Sequence, residues 1–190
     1  MIKLKVKIFE CTPILQEDMS LISAYNSFMD LMPDDAWVIF RDADTLFLDY
    51  APFELIIKSI KENPDVSCFS CMTNRIGQPR QKHNTYSGDD ITKHRDIANQ
   101  LRNLYGTMLE DFSEITPIST ISGMVMILSK KAWNQIGGFK EYRPGYGKIL
   151  GVDTRLHMDL SESGLQTKLI KGLYVYHWYR GGTGDSSHLK

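Results

Sequence analysis

The chain has 190 residues, 42% of them hydrophobic and 24% charged, with a formal net charge of −1. That length suits one domain with one sizeable core, and the mix is globular rather than disordered. A charge so near zero sets up no basic field for nucleic acid, and no apolar run is long enough to span a membrane.

At the N-terminus, Met1 to Ile8 alternates charged and apolar residues. A signal peptide needs a continuous apolar block, so the expected setting is cytoplasmic. Residues Leu4 to Phe9 are predicted to form a first strand, ended by Cys11-Thr12-Pro13. Met19, Ile22, Phe28, Met29 and Met32 space as a helical stripe over 18–32, and Pro33 stops it. Trp37-Val38-Ile39-Phe40 is a short apolar run that predicts a buried strand, followed at once by Asp42-Ala43-Asp44. Asp49-Tyr50-Ala51-Pro52 starts a helix with Pro52 in its first turn, running to about Glu62.

The next strand is 66–72. It carries Cys68 and Cys71, a C-x-x-C with no second pair to complete a zinc site. Period-2 geometry sends the two to opposite faces, so both are expected as buried thiols in a reducing compartment. Residues 73–90 are polar and turn-rich, a long loop of the functional kind. Ile97, Leu101, Leu104, Met108 and Phe112 then keep one apolar face of a long helix, with Asp89 or Asp90 as cap.

Residues 121–128 predict a further buried strand, and Ser129 caps a short helix closed by Gly137-Gly138. A helix over 152–163 precedes Gly164, and 167–170 and 173–176 are closing strands. Residues 181–190 are expected to be a mobile tail. His83, His94, His157 and His188 lack functional context and are expected at the surface. Strands alternating with helices predict one α/β domain, 1–190, with a mainly parallel sheet flanked by helices. Ligands of such sheets gather at the carboxyl ends of the strands.

Two aspartates just past a buried strand can hold a divalent cation against a pyrophosphate. An Asp-x-Asp pair also arises in ordinary solvated turns, so the remaining pattern matters. Ser122 to Trp133, then Ile136-Gly137-Gly138-Phe139, joins a strand to a short helix and a glycine turn; Asp153 opens the next helix, and His177 comes late. In this order, over roughly residues 20–180, the pieces resemble the nucleotide-sugar glycosyltransferases of the GT-A fold, particularly the family 2-like enzymes. The likeness is to short members of viral or bacterial type.

The resemblance implies a Rossmann-like GT-A domain that moves a sugar from a nucleoside diphosphate donor, expected to be a UDP-sugar, to a saccharide or other hydroxyl acceptor. It implies Asp44 and His177 as metal ligands, Asp42 on the metal through water or on the donor ribose, and Asp153 as general base. The expected cation is Mn2+, or Mg2+, the imidazole ligand favouring manganese. Asn26 matches the helix bordering the donor site. Thr12 and Pro13 fall where the base would be met, and Arg180 beside Gly181-Gly182-Thr183-Gly184 suggests a lid reaching phosphate. Asn74, Arg75, Gly137, Gly138 and Trp178 are further candidates for lining the site.

Plainer readings stand beside these: Asp153 favoured by a helix N-terminus, His177 as a structural residue, Gly137-Gly138 as a helix stop. The chain also departs from the family pattern. Val152-Asp153 stands where Glu-Asp is usual, Asp159 where Arg is common, and one strand-helix unit is missing between the first strand and the Asp-x-Asp strand. The N-terminal nucleotide-binding region is therefore expected to be reduced. Two rival classes remain. A nucleotidyltransferase would need a Gly-rich triphosphate loop, which Cys11 to Gln16 is not. A non-catalytic nucleotide-sugar or carbohydrate-binding protein would bind without turning over the donor.

Overall fold

The computed structural model of the protein describes residues 5–13, 20–113, 120–141 and 151–179. The first strand, β1 (Lys7–Cys11), leads to helix α1 (Leu21–Asp30), whose N-terminus is capped by Ser20. Then come β2 (Ala36–Arg41), the two-residue β3 (Thr45–Leu46) and α2 (Ala51–Glu62), with Pro52 in its first turn. Next are β4 (Val66–Thr73), a 3-10 turn over Pro79–Gln81, and α3 (Ile91–Tyr105), capped by Asp90. The remainder is β5 (Leu109–Asp111), β6 (Val125–Ser129), α4 (Lys130–Ile136), α5 (Val152–Glu162) and β7 (Gln166–His177).

The strands form one seven-stranded sheet in the order β1-β2-β6-β4-β7-β3, with β5 also on β7. β1 pairs with β2 and β4 with β7 in parallel, whereas β6 is antiparallel to both β2 and β4, and β3 and β5 are antiparallel to β7. The sheet is thus mixed, not mainly parallel as expected. Part of the reason lies in α3. Its apolar stripe, followed through Met108 and Phe112, predicts a longer helix, but the helix stops at Tyr105 and Gly106 takes φ +49°. The freed residues 109–111 pair antiparallel with β7 and add one reversed strand. They end beside the start of β7, where the Phe112 N–H meets the Thr167 carbonyl, whereas β6 starts beside Arg41 at the opposite edge and so runs against β2 and β4. Leu104 and Met108, assigned to that stripe, are exposed.

Helices cover both faces. Tyr25 and Met29 of α1, Ala132 and Ile136 of α4, and Leu156 and Leu160 of α5 pack with Val38, Phe40, Cys68 and Met126 on one face. Leu55, Ile56 and Ile60 of α2 pack with Ile39, Phe69, Cys71 and Ile127 on the other. Cys68 and Cys71 are both fully buried, free, and in opposite clusters, as the strand period requires. Tyr25, Phe40 and Phe139 form a ring trio with centroids 4.5–5.1 Å apart. Burying each ring contributes roughly 1.5–3 kcal/mol and fixes α1 beside the end of β2.

The two expected closing strands are one strand, β7, whose register against β4 shifts between Cys71 and Met72. The shift falls at Gly172, where an added Cβ would lie 2.2 Å from the Gly106 carbonyl oxygen, so only glycine lets the two backbones meet. At the opposite edge, β1 pairs only with β2 among the described residues. No helix among the described residues is long and apolar enough to cross a membrane.

Candidate metal centre and cleft

β1, β2, β4 and β7 all run the same way, so Cys11, Arg41, Thr73 and His177 end at one edge of the sheet, and β6 begins there. The Asp-x-Asp turn grows from β2. The Asp42 N–H donates to the Met124 carbonyl at 2.9 Å, and the Asp42 carbonyl accepts from the Thr45 N–H (3.1 Å) and hydroxyl (2.7 Å). This tight turn feeds β3, where Thr45 pairs with His177 and Leu46 with Tyr176. The Trp178 N–H donates to the Asp44 carbonyl at 2.9 Å. A two-residue strand therefore pins the acidic turn to the end of β7.

Pairing β3 with β7 brings Asp44 Oδ1 within 3.2 Å of His177 Nε2. Asp42, Asp44 and His177 offer ligand atoms that all lie within 4.8 Å of one another. His177 is buried, and its Nδ1 lies 2.8 Å from the Arg75 carbonyl oxygen. A carbonyl only accepts, so Nδ1 carries the hydrogen and Nε2 is left facing the carboxylate. Two acceptors then point at each other unless a proton or a cation lies between them. Two carboxylates and an imidazole suit a cation such as manganese, and a backbone carbonyl on the far ring nitrogen is the usual support of such a ligand. Burial pushes the Asp42 carboxyl up to about 6; Asp44 and Asp153 add to the shift and His177 opposes it.

The triad opens into a cleft of about 400 Å3. Leu21, Tyr25, Ile76, Met124, Met126 and Val152 line it with apolar surface; Ser122, Asp153 and Tyr179 complete it. Asp153, in the first turn of α5, also lines a second groove with Gly77, Gln78, Thr120 and Thr154, so it stands between the two. Its Oδ2 accepts from the Gly123 N–H at 2.7 Å and its Oδ1 from the Thr154 N–H at 2.8 Å. Burial raises its pKa against the pull of those backbone bonds.

The segment before β6 is held one amide at a time. The Ile121 N–H donates to His157 Nδ1 (3.1 Å), the Ser122 N–H to Gln81 Oε1 (2.6 Å) and the Gly123 N–H to Asp153. Gln78 Nε2 donates to the Thr120 carbonyl at 2.7 Å, and the Met124 carbonyl takes the Asp42 N–H. Side chains from the 3-10 turn and from α5 thus fix the strut that carries Asp42.

Other expected site residues sit elsewhere. Asn26 is spent on the glycine turn: Oδ1 accepts from Trp133 Nε1 (3.0 Å) and the Phe139 N–H (2.8 Å), and Nδ2 donates to the Phe139 carbonyl (3.0 Å). It locks α1 to α4 and does not line the cleft. Gly137 and Gly138 take positive φ, closing α4, and an added Cβ on Gly138 would stand 3.0 Å from Asn26 Oδ1. Neither glycine lines the cleft. Thr12 and Pro13 line a separate groove with Glu10, Cys11, Ala24, Ser27, Phe28 and Leu31. Asn74 is buried under the end of β7, and Arg75 is committed to Asp89 and to backbone carbonyls. Trp178 is half-exposed beside the triad, and Arg180 lies outside the described residues.

Two histidines expected at the surface are fully buried. His157 stands one helical turn after Asp153 on the same face of α5; its Nε2 donates to the Phe112 carbonyl at 2.5 Å, which leaves Nδ1 as acceptor. That spacing was a legible signal. His94 lies on the stripe of α3 with Ile97 and Leu101, and its nitrogens meet the Tyr174 hydroxyl (2.8 Å) and the Gly88 carbonyl (2.7 Å). His83 is partly buried, with burial lowering its pKa. His188 lies outside the described residues. Gln81, Gly123, Tyr179 and the cleft-lining Tyr25 had no distinctive sequence pattern around them. The sequence matches no protein-family model and no curated protein.

Proposed function

We propose that the protein is a metal-dependent glycosyltransferase of GT-A type that moves a sugar from a nucleoside diphosphate donor, a UDP-sugar, to a hydroxyl acceptor. The observation that carries this reading is the convergence of Asp42, Asp44 and His177 at the carboxyl edge of the sheet, in one cleft with Asp153. A cation held there, Mn2+ for preference, would supply positive charge to the departing diphosphate.

Asp153 is the general base. The Gly123 and Thr154 N–H groups hold its two oxygens in place where the carboxylate lines both grooves. As the acceptor oxygen bonds to the anomeric carbon, its proton passes to Asp153 and the bond to the diphosphate breaks, which inverts that centre. A carboxyl raised in pKa by burial is the better base. The standing of Asp153 between two grooves supports one side for donor and the other for acceptor.

A thermal-shift screen of nucleotide sugars with and without manganese tests the reading. A ligand at 100 times its Kd should stabilise the fold by about 2.7 kcal/mol. Asp44→Asn and His177→Ala should each abolish metal-dependent donor hydrolysis or transfer while the protein stays folded. Full activity in excess chelator would sink the metal reading, and donor binding without turnover would favour a binding protein instead.

A further inference from the structure

The regular pairing of β4 with β7 ends at Thr73 opposite Val175. Two residues further along β7, the next strand position on the same side has no backbone partner from β4. The Asn74 side chain replaces it. Its Oδ1 accepts the His177 N–H at 2.8 Å and its Nδ2 donates to the His177 carbonyl at 3.2 Å. A primary amide carries the same donor and acceptor as a peptide group, so Asn74 extends the sheet by one residue where β4 turns away. Asn74 is fully buried, which makes each of these bonds costly to lose.

The next residue completes the hold. The Arg75 carbonyl accepts from His177 Nδ1. The Arg75 guanidinium donates to the carbonyls of Trp178 and Ser87 and pairs with Asp89 Oδ1 at 2.8 Å. The same Asp89 oxygen accepts from the Tyr176 hydroxyl at 2.8 Å. The two ends of the 74–89 segment thus close over residues 176–178 of β7 and its exit: Asn74 holds the His177 backbone, and the bond on Nδ1 leaves Nε2 turned to Asp44 Oδ1 at 3.2 Å.

We propose that Asn74 and Arg75 are positioning residues that hold His177 as the Nδ1–H tautomer with Nε2 aimed at the cation, and that Asp89 anchors Arg75. This rests on the reading that Asp42, Asp44 and His177 hold a metal. Neither residue lines the cleft; they act through His177.

The first test needs no substitution and no metal. Long-range 1H–15N spectra of the metal-free protein at pH 8, with His177 assigned by His177→Gln, should show His177 protonated at Nδ1. Histidine free in water favours Nε2–H, so the result separates a built contact from an incidental one. The second test titrates Mn2+ by electron paramagnetic resonance into the wild type, Asn74→Asp and Asp89→Asn. Asn74→Asp keeps the shape and the acceptor but loses the donor. Support lost behind a ligating histidine should weaken Mn2+ about 10–100-fold in Asn74→Asp, and about threefold or more in Asp89→Asn.

Asp89 is more than half exposed, so its variant should fold even if Asn74→Asp does not. A wild type that binds no Mn2+ would sink the metal reading, while the tautomer result would still decide whether the loop holds the ring. An Nε2–H tautomer, or unchanged Mn2+ affinity in folded Asn74→Asp and Asp89→Asn, would overturn the proposal. A residue that merely stabilised the fold would change melting temperature without changing either readout.

Discussion

Gly123→Ala probes the contact that orients Asp153. Gly123 has no positive φ, so its backbone would accept alanine; the obstacle is space. The added Cβ would lie 2.9 Å from Asp153 Cβ and 3.3 Å from Oδ2. Carbon atoms in contact settle near 3.5–4.0 Å, so the two groups must part by roughly 0.6–1 Å. Asp153 sits on the first turn of α5, so the movement falls on its carboxylate and on the 2.7 Å bond from the Gly123 N–H. Overpacking of this kind costs about 1–3 kcal/mol of stability. Displacing a catalytic group by about 1 Å costs on the order of 10²-fold in turnover. The expected result is a kcat lower by about that factor, with a smaller loss of Mn2+ affinity, because Asp44 and His177 are untouched and Asp42 is reached only through the Met124 carbonyl. Steady-state transfer assays, a Mn2+ titration and urea unfolding measure the three quantities. Wild-type turnover together with wild-type stability would refute both the contact and the role given to Asp153.

Asp42 should cost stability in the metal-free protein. Its carboxyl is raised from 3.8 to about 6, so its contribution is present below pH 3.8 and lost as pH rises through about 6. Asp42→Asn should therefore stabilise the chelator-treated protein at pH 8 by up to about 3 kcal/mol, at 1.36 kcal/mol per unit, and do little at pH 3.5; destabilisation at pH 8 in urea unfolding would contradict it. Over the same window, Mn2+ affinity should fall as pH drops through about 6, because the ligand must lose its proton to bind; a flat calorimetric profile between pH 5 and 8 would count against Asp42 as a ligand. His157→Phe should leave the Ile121 N–H and the Phe112 carbonyl unpaired, at about 1–3 kcal/mol each. A loss under about 0.5 kcal/mol in urea unfolding would mean that the imidazole does not bridge them. With Thr12 and Pro13 in a groove apart from the cleft, UDP and GDP should differ in affinity by less than tenfold, about 1.4 kcal/mol, and uridine should bind poorly. Calorimetry showing tight metal-free uridine binding would reveal a base pocket.

Much of this is legible in the sequence. Pro52 in the first turn of α2, Ser129 as a cap, Asp90 as one of two candidate caps, and Gly137 as the left-handed stop of α4 follow from local chemistry that each segment carries alone. The opposite burial of Cys68 and Cys71 follows from the period of a strand. The Asp-x-Asp turn at the end of a buried strand, a late histidine and a carboxylate opening a helix were also visible, and the fold gathers all three into one cleft.

What only the tertiary structure decided is pairing between segments far apart in the chain. The periodicity of Leu101, Leu104 and Met108 fits a helix, and nothing within that stretch says that residues 109–111 will find β7 instead. That pairing adds one of the reversed strands, with β3 and β6, that make the sheet mixed. In the same way, two residues, Thr45 and Leu46, are too few to announce a strand, yet their bonds to β7 place Asp44 against His177. Asn26 resembles a donor-site residue by position, but its amide is taken by Trp133 and Phe139, a hundred residues away. His94 and His157 stand at helical spacing on buried faces, but that either would be buried was decided by a carbonyl and a second partner waiting elsewhere in the fold. Local sequence sets the period, the caps and the turns; which hydrogen-bonding groups meet across the sheet is settled only when the whole chain competes for them.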